Sequence, residues 1–194
     1  MIKIPTALAA VAVLLAGPAL GEPAAPPAKA SHVVDTSFVS PDGARTLQES
    51  IVIDAPVAVL WKAFTVTEEY KRWNSPVAFI DMRVGGSLEA SYDGKHALGD
   101  PDNIKHRIIT FLPERLVVFQ NIQAPKQLPD AARFQQTVTV LQYEPISATR
   151  TRVMISSTGW AKDAGSDQLY NFFRGGNASL LEKMKAVYDT PAAP

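Results

Sequence analysis

Three histidines are the first residues to weigh as acids, bases or ligands: His32, His96 and His106. No HxH, HxxxH or HxxE spacing joins them to one another or to an acid, so no metal site is expected. The chain has no cysteine, which removes thiolate ligands, disulfides and a thiol nucleophile. His106 alone falls within an alternating run, with Ile104 and Ile108 on its own face. As a general base it would need an acid partner and a substrate in reach. Otherwise it is a histidine on a sheet surface or one hydrogen-bonded in the core. Ser156, Ser157 and Thr158 stand together, but there is no Gly-x-Ser-x-Gly elbow to expose a nucleophile. Asp81 alternates away from Ile80 and Met82, and Glu89 away from Leu88 and Ala90, so both are expected to face solvent. No catalytic residue and no cofactor is assigned.

Aromatic residues offer a different chemistry. Trp61, Phe64, Trp73, Phe79, Tyr92, Phe111, Phe119, Trp160, Tyr170 and Phe173 supply either the lining of an apolar ligand site or ordinary core packing. The pair Gly175-Gly176 sits inside a helical pattern, where two glycines cost about 2 kcal/mol relative to alanine. Close approach of the helix backbone to a sheet or ligand, a gating kink, and a fixed bend without a ligand all account for it.

The elements that must position these residues follow from periodicity. Val33 to Val39 and Leu47 to Ile53 flank the turn Pro41-Asp42-Gly43 and predict a hairpin. Asp54-Ala55-Pro56 opens a helix carrying Val57, Leu60, Trp61 and Phe64, with Pro56 in its first turn. Thr65 and Glu68 form a candidate capping box for a second short helix, Thr67 to Trp73. Phe79 to Val84 and Leu88 to Tyr92 flank Gly85-Gly86, a two-residue hairpin signal. Strands are predicted at Ile104 to Phe111, Leu116 to Ile122, Phe134 to Tyr143 and Arg150 to Thr158. Polar loops fill Asp93 to Asn103 and Ala124 to Ala132. A helix from Ser166 to Tyr188 places Leu169, Phe173, Gly176, Leu180, Met184 and Val187 on one face. The fold class is α+β: about seven strands in one curved antiparallel sheet, with two short helices and one long C-terminal helix against it.

The first residues read as a secretory leader. Lys3 precedes the apolar run Ala7 to Ala16, Gly17-Pro18 breaks it, and Ala19-Leu20-Gly21 offers small residues for cleavage after Gly21, with a site a few residues later in the Ala-Pro stretch as the alternative. A membrane span needs about 20 apolar residues, and this run is shorter. The expected organisation is a signal peptide over 1–21, an Ala/Pro-rich tether over 22–32, a domain over 33–189 and a disordered tail over 190–194. The mature chain is then expected in the periplasm or outside the cell, with no membrane insertion. The whole chain carries 19 basic and 19 acidic residues, so loss of Lys3 leaves a net charge of −1. No basic footprint for a nucleic acid is present.

Six segments in this order resemble the START-like superfamily, also called SRPBCC or polyketide-cyclase-like, and within it the AHSA-like branch. They are Ile53-Asp54-Ala55-Pro56-Val57 with Val59-Leu60-Trp61; Tyr70-Lys71-Arg72-Trp73; Asp81-Met82-Arg83-Val84-Gly85-Gly86; Phe111-Leu112-Pro113-Glu114-Arg115-Leu116; Thr158-Gly159-Trp160; and Tyr170 to Asn177 running into Leu180-Leu181. The resemblance spans Thr46 to Tyr188. It implies a helix-grip fold with an apolar cavity between the sheet and the long helix. Ligand-binding residues are then expected among Trp61, Trp73, Tyr92, His106, Phe119, Trp160, Tyr170, Phe173 and Asn177. One fold hosts many activities. A binding protein for an apolar or amphipathic molecule needs only the cavity. A cyclase or hydrolase needs a titratable dyad inside it, with His106, Tyr92 and Tyr170 as donors. A protein-interaction module related to chaperone ATPase activators would show an exposed apolar patch, and an exported chain would meet neither cytosolic chaperone nor ATP.

Overall fold

The computed structural model describes residues 31–126, 128 and 130–189. The leader expected over 1–21, the tether up to residue 30 and the tail over 190–194 lie outside the described residues. Two short strands, β1 (Val34–Asp35) and β2 (Phe38–Val39), pair antiparallel with successive parts of β3 (Arg45–Ile53). The expected first strand is thus broken in two, its middle turned by Asp35, whose carboxylate accepts from the Ser37 amide at 2.9 Å. Leu47, Glu49, Ile51 and Ile53 alternate on the buried face of β3.

Helices α1 (Val57–Thr65) and α2 (Thr67–Trp73) follow, joined at Val66. The capping box expected from Thr65 and Glu68 does not form. The Thr65 hydroxyl donates back to the Trp61 carbonyl at 2.7 Å, and the residue at the cap of α2 is Val66. Strand β4 (Val77–Ile80) ends earlier than its pattern suggested, and residues 81–86 connect it to β5 (Ser87–Ser91). The glycine doublet is therefore the end of a longer turn and not a two-residue hairpin. A Cβ on Gly86 would stand 2.1 Å from the Asp81 carbonyl oxygen, so the turn closes only around glycine.

The remaining elements are β6 (Ile104–Leu112), β7 (Leu116–Gln123), a short helix α3 (Ala131–Phe134), β8 (Val138–Ser147), β9 (Arg150–Trp160) and α4 (Ala164–Tyr188). Phe134, expected at the head of a strand, closes α3 instead. Asp130 caps α3 in the left-handed region, accepting from the Arg133 amide. The nine strands form one antiparallel sheet in the order β1-β3-β9-β8-β7-β6-β5-β4, with β2 also on β3. The single curved antiparallel sheet matches the expectation, and β1 and β2 together take the place of the one strand expected over Val33 to Val39.

Asp163 caps α4 by accepting from the Ser166 amide at 3.0 Å. The helix buries Ser166 and Leu169 near its start and Leu181 and Met184 near its end. Nothing between Leu169 and Leu181 is fully buried. Leu181 and Met184 join the main core with α1, α2 and the sheet, whereas Leu169 joins a second cluster with Leu47, Leu128, Phe134 and Trp160. The helix is held at two places and spans the gap between them.

Candidate ligand cavity

Under the middle of α4 lies a cavity of about 680 Å³, within the range of small-molecule sites. Its floor is the concave face of β5 to β9. Period two turns His106 and Ile108 of β6, Phe119 and Asn121 of β7, Thr139 and Leu141 of β8, and Ile155 and Ser157 of β9 to that face. Register then aligns the polar members: His106 pairs with Asn121, and Thr139 with Ser157. Asn121 Nδ2 donates to Thr137 Oγ1 at 2.5 Å, just before β8 begins. The polar residues therefore lie on two neighbouring rungs of an otherwise apolar floor: His106, Asn121 and Thr137 on one, and Thr139 with Ser157 on the next, which runs on through Phe119 and Ile108. Phe173, Gly176, Asn177 and Leu180 of α4 form the roof.

His106 packs on Phe119 with ring centroids 4.7 Å apart. Burial pulls its pKa down to about 4, against an opposing effect of Asn121, so the ring is neutral near pH 7. Its Nδ1, together with Ser157 Oγ and Asn74 Nδ2, has no hydrogen-bond partner in the protein. At the side formed by α2 and β5, the Tyr70 and Tyr92 hydroxyls meet at 2.9 Å, and burial pushes the Tyr70 phenol well up. The mouth is bordered by Phe172, Asp93, His96, Asp102 and Lys183. His96 is flanked there by Asp93 at 3.5 Å and Asp100 at 3.4 Å.

Of the residues expected to bind a ligand, the structure brings Tyr92, His106, Phe119, Trp160, Phe173 and Asn177 onto this cavity. Three are elsewhere. Trp61 packs on Tyr143 and Phe111, with centroids at 5.7 and 6.5 Å, within the main core. Trp73 is a core residue whose indole N–H donates to the Ala63 carbonyl at 2.8 Å. Tyr170 turns away from the cavity, edge-on to Trp160 at 5.4 Å and beneath the Arg45 guanidinium at 4.9 Å. Glu89 also departs from expectation. It is 7% exposed, and accepts from the Gly99 amide at 2.5 Å and Asn103 Nδ2 at 2.8 Å, with Lys105 at 3.0 Å. Burial pushes this carboxyl up, but those partners outweigh it and hold it below its usual range. The loop before β6 folds over the face that the strand pattern left open, and Glu89 fastens it.

Sequence reasoning missed Asn74, Asn121, Phe134 and Ser157 on the wall and Glu49 behind the roof. Glu49 is 2% exposed, and Oε2 has no partner. Burial, then repulsion from Asp35, raises it to about 7, while Arg174 and Asn177 act the other way. Arg174 itself pairs with Asp35 at 2.7 Å. Among the described residues no group of three or more His, Asp or Glu is placed to hold a metal, and no helix is long and apolar enough to cross a membrane.

A curved antiparallel sheet gripping one long C-terminal helix over an apolar cavity defines a helix-grip, SRPBCC-type protein. The model of the family described as "Activator of Hsp90 ATPase homolog 1-like protein" matches residues 54–189, and the chain belongs to that family. No curated protein matches the sequence. Among solved structures, the fold is similar to the Aha1 dimer from Colwellia psychrerythraea, with 16% identity over 76% of this chain and 98% of that one and a TM-score of 0.60. It is likewise similar to CalU16 from Micromonospora echinospora, with 18% identity over 84% of this chain and 88% of that one and a TM-score of 0.56. A protein from Mesorhizobium loti shares 16% identity over 77% of this chain and 100% of its own, with a TM-score of 0.59.

Proposed function

We propose that this chain is an exported protein that holds a small apolar or amphipathic molecule in the cavity beneath α4. The observation that carries the reading is the span of α4. A helix that buries nothing fully between Leu169 and Leu181 roofs a cavity of about 680 Å³ whose apolar lining includes Phe64, Ile104, Phe119, Leu141 and Ile155. A helix selected only for stability would close on the sheet, because burying its central apolar residues would add about 25 cal/mol per Å². The cyclase or hydrolase alternative needs a base on the wall. His106 titrates far below neutrality, and the Tyr70–Tyr92 pair deprotonates far above it, so these groups donate or accept hydrogen bonds without exchanging protons near pH 7.

The test is Nile red fluorescence with the parent chain and with Thr139→Trp. Thr139 faces the cavity from β8 and is only half-buried, so an indole there fills space without displacing the core. Blue-shifted, saturable emission with the parent and its loss in the variant support the reading. Equal emission from both, or none from either, removes its basis.

A further inference from the structure

One flank of α4 is tied to the first strands by charge. Arg45 pairs with Asp167, Arg174 with Asp35 at 2.7 Å, and the His32 amide donates to the Glu182 carboxylate at 2.6 Å. Asp167, Arg174 and Glu182 follow one another at about two turns, so they share one side of the helix. The central tie differs from the other two because it lies beside a second carboxyl. Asp35 and Glu49 are direct partners in the β1–β3 ladder, so their side chains leave the sheet on the same face. Two carboxyls therefore stand beside one guanidinium.

The two are not equivalent. Hydrogen bonds from Ser37 hold Asp35 below the usual carboxylate range, and Arg174 adds to them. Glu49 is instead buried, its Oε2 has no partner, and burial followed by repulsion from Asp35 raises it to about 7. While Glu49 keeps its proton, the charges of Asp35 and Arg174 balance. Once the proton leaves, a second negative charge is enclosed beside Asp35, and the guanidinium is already engaged. An enclosed charge without its own partner is costly. No other element offsets it: the neighbour of Glu49 on β9 is Ile155, its same-face neighbours on β3 are Leu47 and Ile51, and α4 adds only the neutral amide of Asn177. His106, which titrates in the same pH range, stands on β6 with β9, β8 and β7 between it and β3.

The segment that covers Glu49 is also the part of α4 least able to resist. Arg174 and Asn177 flank Gly175-Gly176, and two adjacent glycines weaken a helix. A Cβ on either glycine would meet nothing within 4 Å, and no residue is fully buried between Leu169 and Leu181. Both ends of the helix, by contrast, are fixed in the two cores.

We propose that Glu49 is a proton-operated latch for the middle of α4: protonated, it lets residues 172–178 lie closed against the β3 edge, and on losing its proton it drives that segment open while both helix ends stay packed. Opening there bares the cavity whether or not a molecule occupies it, so the latch stands independently of the ligand reading. The sign follows from linkage. Glu49 holds its proton more tightly in the closed form than in an open, hydrated one, so opening becomes more favourable as the pH rises from 4.5 to about 7 and levels off above. The gap between those values caps the change at about 300-fold.

Native-state hydrogen exchange of the full chain without ligand tests this, read as protection factors so that the intrinsic pH dependence of exchange drops out. Protection of residues 172–178 should fall at least about ten-fold from about pH 5 to about 7.5. Protection of residues 181–186, which carry the buried Leu181 and Met184, should hold. Glu49→Gln, neutral throughout, should keep residues 172–178 protected across the whole range. Asp35→Asn removes the repulsion and leaves Arg174 to Glu49, so the fall should move to lower pH. A flat profile in the parent overturns the proposal, as does a fall that persists in Glu49→Gln. An equal fall at residues 181–186 overturns it too, because the event is then unfolding of the whole domain. An Asp35→Asn profile that overlays the parent's removes the carboxyl pair from the device and sinks the proposal as stated.

Discussion

Glu49 and His106 are displaced from their ordinary pKa values in opposite senses, and both displacements act on stability over nearly the same pH interval. Glu49 rises from 4.5 to about 7, so the folded chain keeps a proton that the unfolded chain gives up. Its favourable contribution is complete below pH 4.5 and is lost as the pH climbs to about 7. His106 falls from 6.5 to about 4, so the unfolded chain takes up a proton that the folded chain refuses, and stability is lost as the pH drops through that range. At about 1.36 kcal/mol per pH unit, each is worth on the order of 3 kcal/mol. The two slopes nearly cancel in the parent. Glu49→Gln should therefore expose a loss of stability on acidification, and His106→Gln a gain, when urea midpoints are followed from about pH 4 to 8. Arg174 and Asp35 face Glu49, and their own pairing persists across that range. Variants whose pH profiles overlay the parent's would refute the assignment. Glu49 was legible in the sequence, since it alternates with Leu47 and Ile51 on the buried face of β3. So were Asn121 and Ser157, two positions from Phe119 and Ile155. What the sequence withheld was the address of each aromatic ring. Nothing in the spacing of Trp61, Trp73 or Tyr170 distinguishes the core, or the outer side of Trp160, from the cavity.

At the scale of elements, α4 carries the sharpest prediction. A Cβ added to Gly175 or Gly176 would meet nothing within 4 Å, so the pair is not a packing device. Alanine at both positions should stabilise the fold by about 2 kcal/mol through helix propensity alone. If the glycines also let the roof bend, the double variant should release Nile red more slowly in stopped flow. A double variant less stable than the parent would contradict the open space around the helix. The extent of α4 was legible because its 3.6-residue period is long and regular. Its uncovered middle was not, since Phe172, Phe173 and Leu180 extend the same apolar stripe that Leu169 and Leu181 bury. The helix α3 was hidden for a different reason: it is too short to show a period, and its start depends on Asp130 adopting a left-handed backbone. Glu89 misled the alternation rule because a loop, and not solvent, covers the outer face of β5.

At the scale of the whole molecule, the antiparallel order was legible because short strands separated by turn residues leave few other arrangements. The two-strand break at the start was not, since it rests on the Asp35–Ser37 turn. We propose that the chain is exported and that the mature form begins near Glu22. Intact-mass measurement of the protein recovered from its own periplasm or medium should give that N-terminus, and an unprocessed chain in the membrane fraction would overturn the proposal. With no cysteine in the sequence, the fold is held without disulfides. That places an unusual division of labour on α4. Its two ends belong to the cores and tolerate little, whereas the stretch from Tyr170 to Leu180 is fully buried nowhere. Substitutions there alter what the roof presents to an occupant at small cost to folding. The composition of this roof can therefore change with less consequence for folding than that of the sheet or of either helix end.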